Sequence, residues 1–396
     1  MNNIRVLHCP TMVAGNPQGL ARAERQLGLE SWSVAFEGTF IDYQADEVII
    51  EEKGNRAVLE IMRWKILWRA LKRYDIIHFN FGQSIMPPLP SKVILRKSEY
   101  PKWLNYFYYL YARMLNMFDV DLLRRAGKGI VVTFMGDDAR QGDYSLAKFE
   151  ISIAREVGST YYAPETDRVK REHISRFSRN ADRIFYLNPD LAHVLPPQAE
   201  FLPYGHIDLG KWRPSSATRL VSHRPTLSHA PTNRDAKGTR YVLQAVSRLR
   251  EEGIPFDFLL IEGMPHCEVR DIYKRVDLFV DQLLAGWYGA VAVELMALGK
   301  PVISYIRESD LKFIPQEMRK DLPIINATPA TIYSALKEWL TVRRDELPEV
   351  GQLSRAYVEK WHDPVKIAAR LKSEYEAILG NPKSRREGSK TQGSLK

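Results

Sequence analysis

Gly286-Trp-Tyr-Gly289-Ala-Val-Ala-Val-Glu294-Leu-Met-Ala-Leu-Gly299-Lys-Pro301-Val-Ile303 reads in turn as a loop, a helix and a buried strand. Gly286 and Gly289 allow backbone shapes that other residues resist. Residues 290–298 suit a helix, and Gly299 suits its end. Pro301 then opens a short apolar strand at 302–305. Within this mostly apolar segment sits one carboxylate, Glu294. A buried carboxylate is costly unless something satisfies it. Two readings stand open: a helix whose Glu294 faces water or caps a neighbour, or a Glu held near a helix start to grip ligand hydroxyls.

The same alternation recurs outward from this unit. Downstream, 324–325 reads as a short strand and 329–342 as a helix, while 352–379 is helical with a break near His362-Asp363-Pro364. Upstream, strands are expected at 226–230, 256–262 and 276–280, with a long helix at 238–252. Residues 205–222 carry Pro, Ser and Gly without a strong apolar period, which marks a domain boundary. Before it the plan has already run once. Strands are expected at 4–9, 33–36, 47–50, 76–79, 129–133, 181–187 and 200–203, a glycine turn at 15–19, and helices at 20–27 and 57–73. Such βαβ alternation predicts an α/β fold of two Rossmann-like, doubly wound parallel-sheet domains. They would face a central cleft, with ligands beyond the carboxyl ends of the strands.

Bulk properties agree. A chain of 396 residues exceeds a usual single core, and 45% apolar with 27% charged residues is ordinary for a soluble globular protein. No apolar run reaches the length of a membrane span. The N-terminus runs directly into a strand pattern, so no signal peptide is expected. Cys9 and Cys267 alone offer neither a disulfide framework nor a metal-ligand spacing. A reducing cytoplasm is the expected home. The net charge of +9 favours anionic partners. Five Lys or Arg and one Glu after Gly380 carry +4 of it, in a polar, Gly- and Ser-containing tail expected to be disordered.

Five groups of residues could carry chemistry. Gly15-Asn16-Pro17-Gln18-Gly19 lies between the first strand and the first helix, where free amides and the helix dipole attract anions. Asn233-Arg234-Asp235-Ala236-Lys237-Gly238 places two cations near a helix start, which suits a diphosphate. Thr133-Phe134-Met135-Gly136-Asp137-Asp138 sets two carboxylates at a strand end, for sugar hydroxyls, proton transfer or capping. His78, His206 and His229 stand at strand ends or in junctions, and a lone His is more often structural than catalytic. No His/Cys cluster appears, so no protein-bound metal is expected. Finally, residues 63–73 and 102–111 mix Trp and Tyr with Lys and Arg. This suits a membrane interface or a lipid-linked acceptor, and equally a core helix with snorkelling cations. No nucleic-acid motif accompanies the charge.

In order and spacing these segments resemble the group 1 (family 4) glycosyltransferases with the GT-B fold, most clearly from about 130 to 379. Residues 181–191 look like the family's last strand of the first domain. Leu202-Pro-Tyr-Gly-His-Ile-Asp208 and Lys211-Trp-Arg-Pro214 look like its linker. Arg234 and Lys237 fall where the family holds a diphosphate. Residues 286–302 look like its Glu-x7-Glu motif, and His362-Asp-Pro-Val365 onward like its returning C-terminal helix. The resemblance implies an N-terminal acceptor domain at 1–205, a donor domain at 206–362, a crossing helix at 363–380 and a basic tail at 381–396. It departs at Gly286, where the family has its first Glu, and at Met135, where it often has His.

The implied function is a cytoplasmic, retaining, metal-independent glycosyltransferase without a cofactor. It would move a hexosyl-type group from a nucleotide-diphosphate sugar to a glycan or lipid-linked acceptor, in a setting such as surface-polysaccharide assembly. Arg234 and Lys237 would neutralise the diphosphate, aided by amides from Gly15 to Gly19. Glu294 would hold the ribose, Gly289 would let backbone approach the ligand, and Asp137 or Asp138 would orient hydroxyls. Peripheral contact with an acidic membrane surface, at its inner face, is left open, and nucleic acid is not expected. The rivals are a sugar-nucleotide epimerase on the same fold and a non-catalytic partner that binds nucleotide sugar.

Overall fold

The computed structural model describes residues 3–38, 45–50, 56–90, 101–214 and 224–380. The tail at 381–396 lies outside them. The first sheet has strands β1 (Arg5–Cys9), β2 (Glu30–Glu37), β3 (Glu47–Ile50), β4 (Ile76–Asn80), β5 (Gly129–Phe134), β6 (Arg183–Tyr186) and β7 (Glu200–Phe201). Their order is β3-β2-β1-β4-β5-β6-β7, all parallel. The second sheet has β8 (Thr226–His229), β9 (Asp257–Leu260), β10 (Leu278–Val280), β11 (Val302–Ser304) and β12 (Ile325–Asn326). Its order is β12-β11-β10-β8-β9, again parallel. Parallel strands covered on both faces read as unbroken apolar runs. Ile130, Val131, Val132 and Phe134 of β5 are accordingly all fully buried.

The expected helices form, with one instructive shift, and Phe118–Arg125, Pro164–Asn180 and His266–Tyr273 are helices that were not expected. The expected turn at 15–19 is in fact mostly helix, because Asn16–Gln26 begins as soon as Gly15 has taken a left-handed turn at φ 65°. Pro17 sits in the first helical turn, where its missing N–H costs nothing. Gly19 then lies against the stretch that joins the two sheets. A Cβ at Gly19 would fall 2.4 Å from the Gly205 carbonyl oxygen and 2.5 Å from His206 Cα. Asn16 Oδ1 accepts from the Gly205 N–H at 2.7 Å, so the same helix start pins the joining segment twice.

The final helix, Pro364–Gly380, returns to pack on Asn16–Gln26. Its Tyr375 hydroxyl donates to Glu24 Oε1 at 3.0 Å and meets His78 Nδ1 at 2.8 Å, all buried. His8 Nε2 bonds Glu24 Oε2 at 2.9 Å, and His78 Nε2 bonds Thr133 Oγ1 at 2.7 Å. His78 is thus a structural link between the sheet and the returning helix.

Candidate functional site

The loops after β5 and β10 meet where the two domains touch. Leu284 and Ala285 pack on Ile153, and His193 Nε2 bonds Asp310 Oδ1 at 2.8 Å. Four of the expected site groups lie along this line.

Asn233 caps the turn Arg234–Lys237 by accepting from the Ala236 N–H at 3.0 Å, and Gly238 ends it at φ 74°. This turn projects its cations differently. Arg234 is exposed and pairs with Glu262, Nε to Oε1 at 2.8 Å. Lys237 reaches inward. Its Nζ donates to Asp281 Oδ1 at 3.0 Å and to Gln282 Oε1 at 2.8 Å. Gly289, the residue before the helix Ala290–Ala297, donates its N–H to Asp281 Oδ2 at 2.6 Å. A Cβ on Gly289 would stand 3.2 Å from Lys237 Nζ. An ammonium and a helix N-terminus therefore converge, and Asp281 joins them. Each of the two expected cations has a carboxylate partner: Glu262 for Arg234 and Asp281 for Lys237.

Glu294 lies in the helix Ala290–Ala297 and is 1% exposed. Of the two readings, neither a water-facing nor a capping carboxylate fits. His266 Nε2 bonds its Oε1 at 2.7 Å, and His206 Nε2 stands 3.6 Å from the same oxygen. The Trp212 ring lies 5.4 Å from that of His266. Burial alone would raise the carboxyl pKa, but the two imidazoles outweigh it and hold it at about 2. His206 links the domains as well as flanking Glu294.

The two carboxylates after β5 have separate tasks. Asp138 accepts from the Met135 N–H at 3.0 Å and the Gly136 N–H at 2.6 Å, so it braces its own turn. Burial pushes its pKa up to about 7 against those bonds. Asp137 accepts from Arg140 at 2.9 Å, from the Tyr161 hydroxyl at 2.5 Å and from Tyr162. Burial opposes ionisation, yet Arg140 and the two phenols hold Asp137 below the usual carboxylate range. Arg140 also grips buried Asp190 at 2.7 Å. His229 bonds Thr239 Oγ1 at 2.8 Å and Val280 O at 2.8 Å, so both ring nitrogens are engaged within the fold, and burial lowers its pKa to about 4.

No family model and no curated protein matches the chain by sequence. Solved structures do match in shape. Sucrose-phosphate synthase from Thermosynechococcus elongatus aligns at TM-score 0.57 and 14% identity, over 96% of this chain and 100% of that one. HepE from Anabaena, in complex with UDP-glucose, aligns at 0.57 and 11%, over the same shares. A Listeria monocytogenes protein assigned as a UDP-N-acetylglucosamine 2-epimerase aligns at 0.51 and 12%, over 96% and 97%. The chain has the GT-B fold.

In this GT-B chain the space beside Gly286 is filled. Gly286 has φ 82°, and a Cβ there would fall 2.7 Å from the Arg307 guanidinium. Arg307 donates to Asp310 Oδ2 at 2.9 Å and to Ile151 O across the domain boundary at 2.9 Å. It also lies 3.7 Å over the Phe149 ring. The GT-B cleft thus holds three residues that sequence reasoning missed: Asp281, His266 and Arg307. Asp281 had a signal, being a carboxylate directly after an apolar strand. His266 had none, since Glu294 lies 28 residues away, and Arg307 had only its nearby Asp310, which says nothing of Gly286 or Ile151.

Proposed function

We propose that this GT-B protein is a retaining, metal-independent glycosyltransferase that uses a nucleotide-diphosphate sugar. The carrying observation is the meeting of Lys237 Nζ with the helix start at Gly289. A departing diphosphate needs positive charge at one point, and a fixed ammonium beside a helix N-terminus supplies it. In this reading the cations do the work a metal does elsewhere, with Arg234 swinging from Glu262 as a second contact. Glu294 takes the ribose hydroxyls by exchanging His266 for them. Asp137 orients sugar hydroxyls, while Asp138 keeps the loop in shape. The leaving phosphate itself takes the acceptor proton. The acceptor is a glycan or a lipid-linked sugar, at the inner face of a membrane.

Two observations favour a second reading, a non-catalytic partner that binds nucleotide sugar. Arg307 occupies the space beside Gly286, and Glu294 is closed over by His266. A donor panel separates the readings. The protein is incubated with UDP-, ADP- and GDP-sugars, with and without acceptor extracts, and nucleoside diphosphate release is followed. Release that depends on acceptor supports transfer. Release without acceptor, with an altered free sugar, identifies an epimerase instead. Binding without turnover would sink both enzyme readings and leave the partner.

A further inference from the structure

Two helices of the first domain wear their apolar stripes on the outside. In Arg56–Arg73, residues Ile61, Trp64 and Trp68 recur at helical spacing, and Trp68 is 62% exposed. In Lys102–Leu115 the stripe is Trp103, Phe107, Leu110 and Met114, with Trp103 64%, Phe107 60% and Met114 72% exposed. An amphipathic helix ordinarily turns such a stripe to the core. Here the core is served by other residues, Ile66, Leu67 and Ala70 on one helix and Ala112 and Leu115 on the other. The two stripes adjoin, because Trp64 Nε1 donates to the Tyr111 hydroxyl at 3.1 Å and the Tyr108 hydroxyl to Glu60 at 3.2 Å. A contiguous exposed apolar patch marks a docking surface.

Charge identifies what docks. Residues 57–73 and 102–115 contain seven Lys or Arg and a single carboxylate, Glu60. Glu60 is already engaged by Arg63 and Tyr108. Lys65, Lys72, Arg73, Lys102 and Arg113 are exposed along the edges of the aromatic stripes. Lys72 Nζ lies 4.8 Å over the Trp68 ring, its stem along the apolar surface and its head in water. Trp and Tyr with flanking cations and almost no acid match the headgroup layer of an anionic bilayer. Among the described residues no helix is long and apolar enough to cross a membrane; aromatic stripes flanked by cations suit contact in the interfacial plane.

We propose that this face, built by Arg56–Arg73 and Lys102–Leu115, docks the protein on an anionic lipid bilayer. The proposal rests on these surface residues and does not depend on the proposed reaction. The full chain is floated with phosphatidylcholine vesicles and with vesicles containing phosphatidylglycerol. It is expected to float only with the latter, and to release as salt rises. Brominated lipid should quench its tryptophan fluorescence. Trp68→Glu with Trp103→Glu, and separately Lys65→Glu with Lys72→Glu, should each weaken vesicle binding by at least about tenfold while circular dichroism stays unchanged. These positions are exposed, so folding is not at stake. Equal binding to both vesicles, no quenching, full binding by the variants, or a dimer that hides the face in solution would each overturn the proposal.

Discussion

Lys237 carries the proposed chemistry, and its replacement is the sharpest single test. Lys237→Ala should lower turnover by about 10²–10³-fold, the usual effect of removing one charge-stabilising donor. The fold should persist, because Asp281 keeps the Gly289 amide. Unchanged turnover in a steady-state donor assay would remove the diphosphate assignment. Glu294 makes a different prediction, about pH. Its folded pKa of about 2 lies below the ordinary 4.5, so its stabilising contribution is complete above about pH 4.5 and lost as pH falls toward 2. That shift corresponds to about 3 kcal/mol. Glu294→Gln should therefore unfold more easily than the parent near neutral pH, with the gap closing between about pH 4.5 and 2 in urea titrations. A gap that stays constant through this window would mean the two imidazoles do not set the carboxyl.

Elements show what a sequence can and cannot disclose. Strands β4 and β5 were legible because burial on both faces leaves mostly apolar residues, with buried His78, Asn80 and Thr133 as the exceptions, and the helix at 290–297 because Gly289 and Gly299 bracket it. The start at Asn16 was not, since glycines at 15 and 19 look like a turn. What decides it is a distant segment: Gly205 and His206 lie on Gly19 and demand a residue without a side chain. Gly19→Ala should consequently destabilise the protein by about 1–3 kcal/mol, through overpacking against backbone that has no rotamer to change. Denaturant midpoints would measure this, and a neutral outcome would show that the joining segment yields. The same limit explains the site. Glu294 stood out as one carboxylate in an apolar helix, but His266, the group that occupies it, lies 28 residues upstream. No local spacing connects the two. Arg307 opposite Gly286 was hidden for the same reason.

At the scale of the whole molecule, a shared apolar core and several polar ties hold the domains together. Asp310 accepts from His193 of the first domain and from Arg307, which itself reaches Ile151 O. Asp310→Asn would leave the Arg307 guanidinium buried without its counter-charge. A loss of about 3 kcal/mol is expected, with domains that separate more readily. Calorimetry and small-angle scattering would read the two effects, and an unchanged melting profile would assign the interface to apolar packing alone. The two parallel-sheet α/β domains were foreseeable from alternation, since each strand–helix pair leaves its period locally; the GT-B arrangement came from the family resemblance. How tightly the cleft closes was not, because that rests on pairs drawn from opposite domains. The returning helix has one more consequence, for biosynthesis. Tyr375 and Glu24 touch, yet 351 residues separate them. On the ribosome, residues 16–26 emerge long before their partner helix has been translated. The domain made first is thus finished last, and until then its Glu24–His78 pocket stays open to water. A nascent-chain protease assay should find that domain cleavable until residue 380 has cleared the exit tunnel.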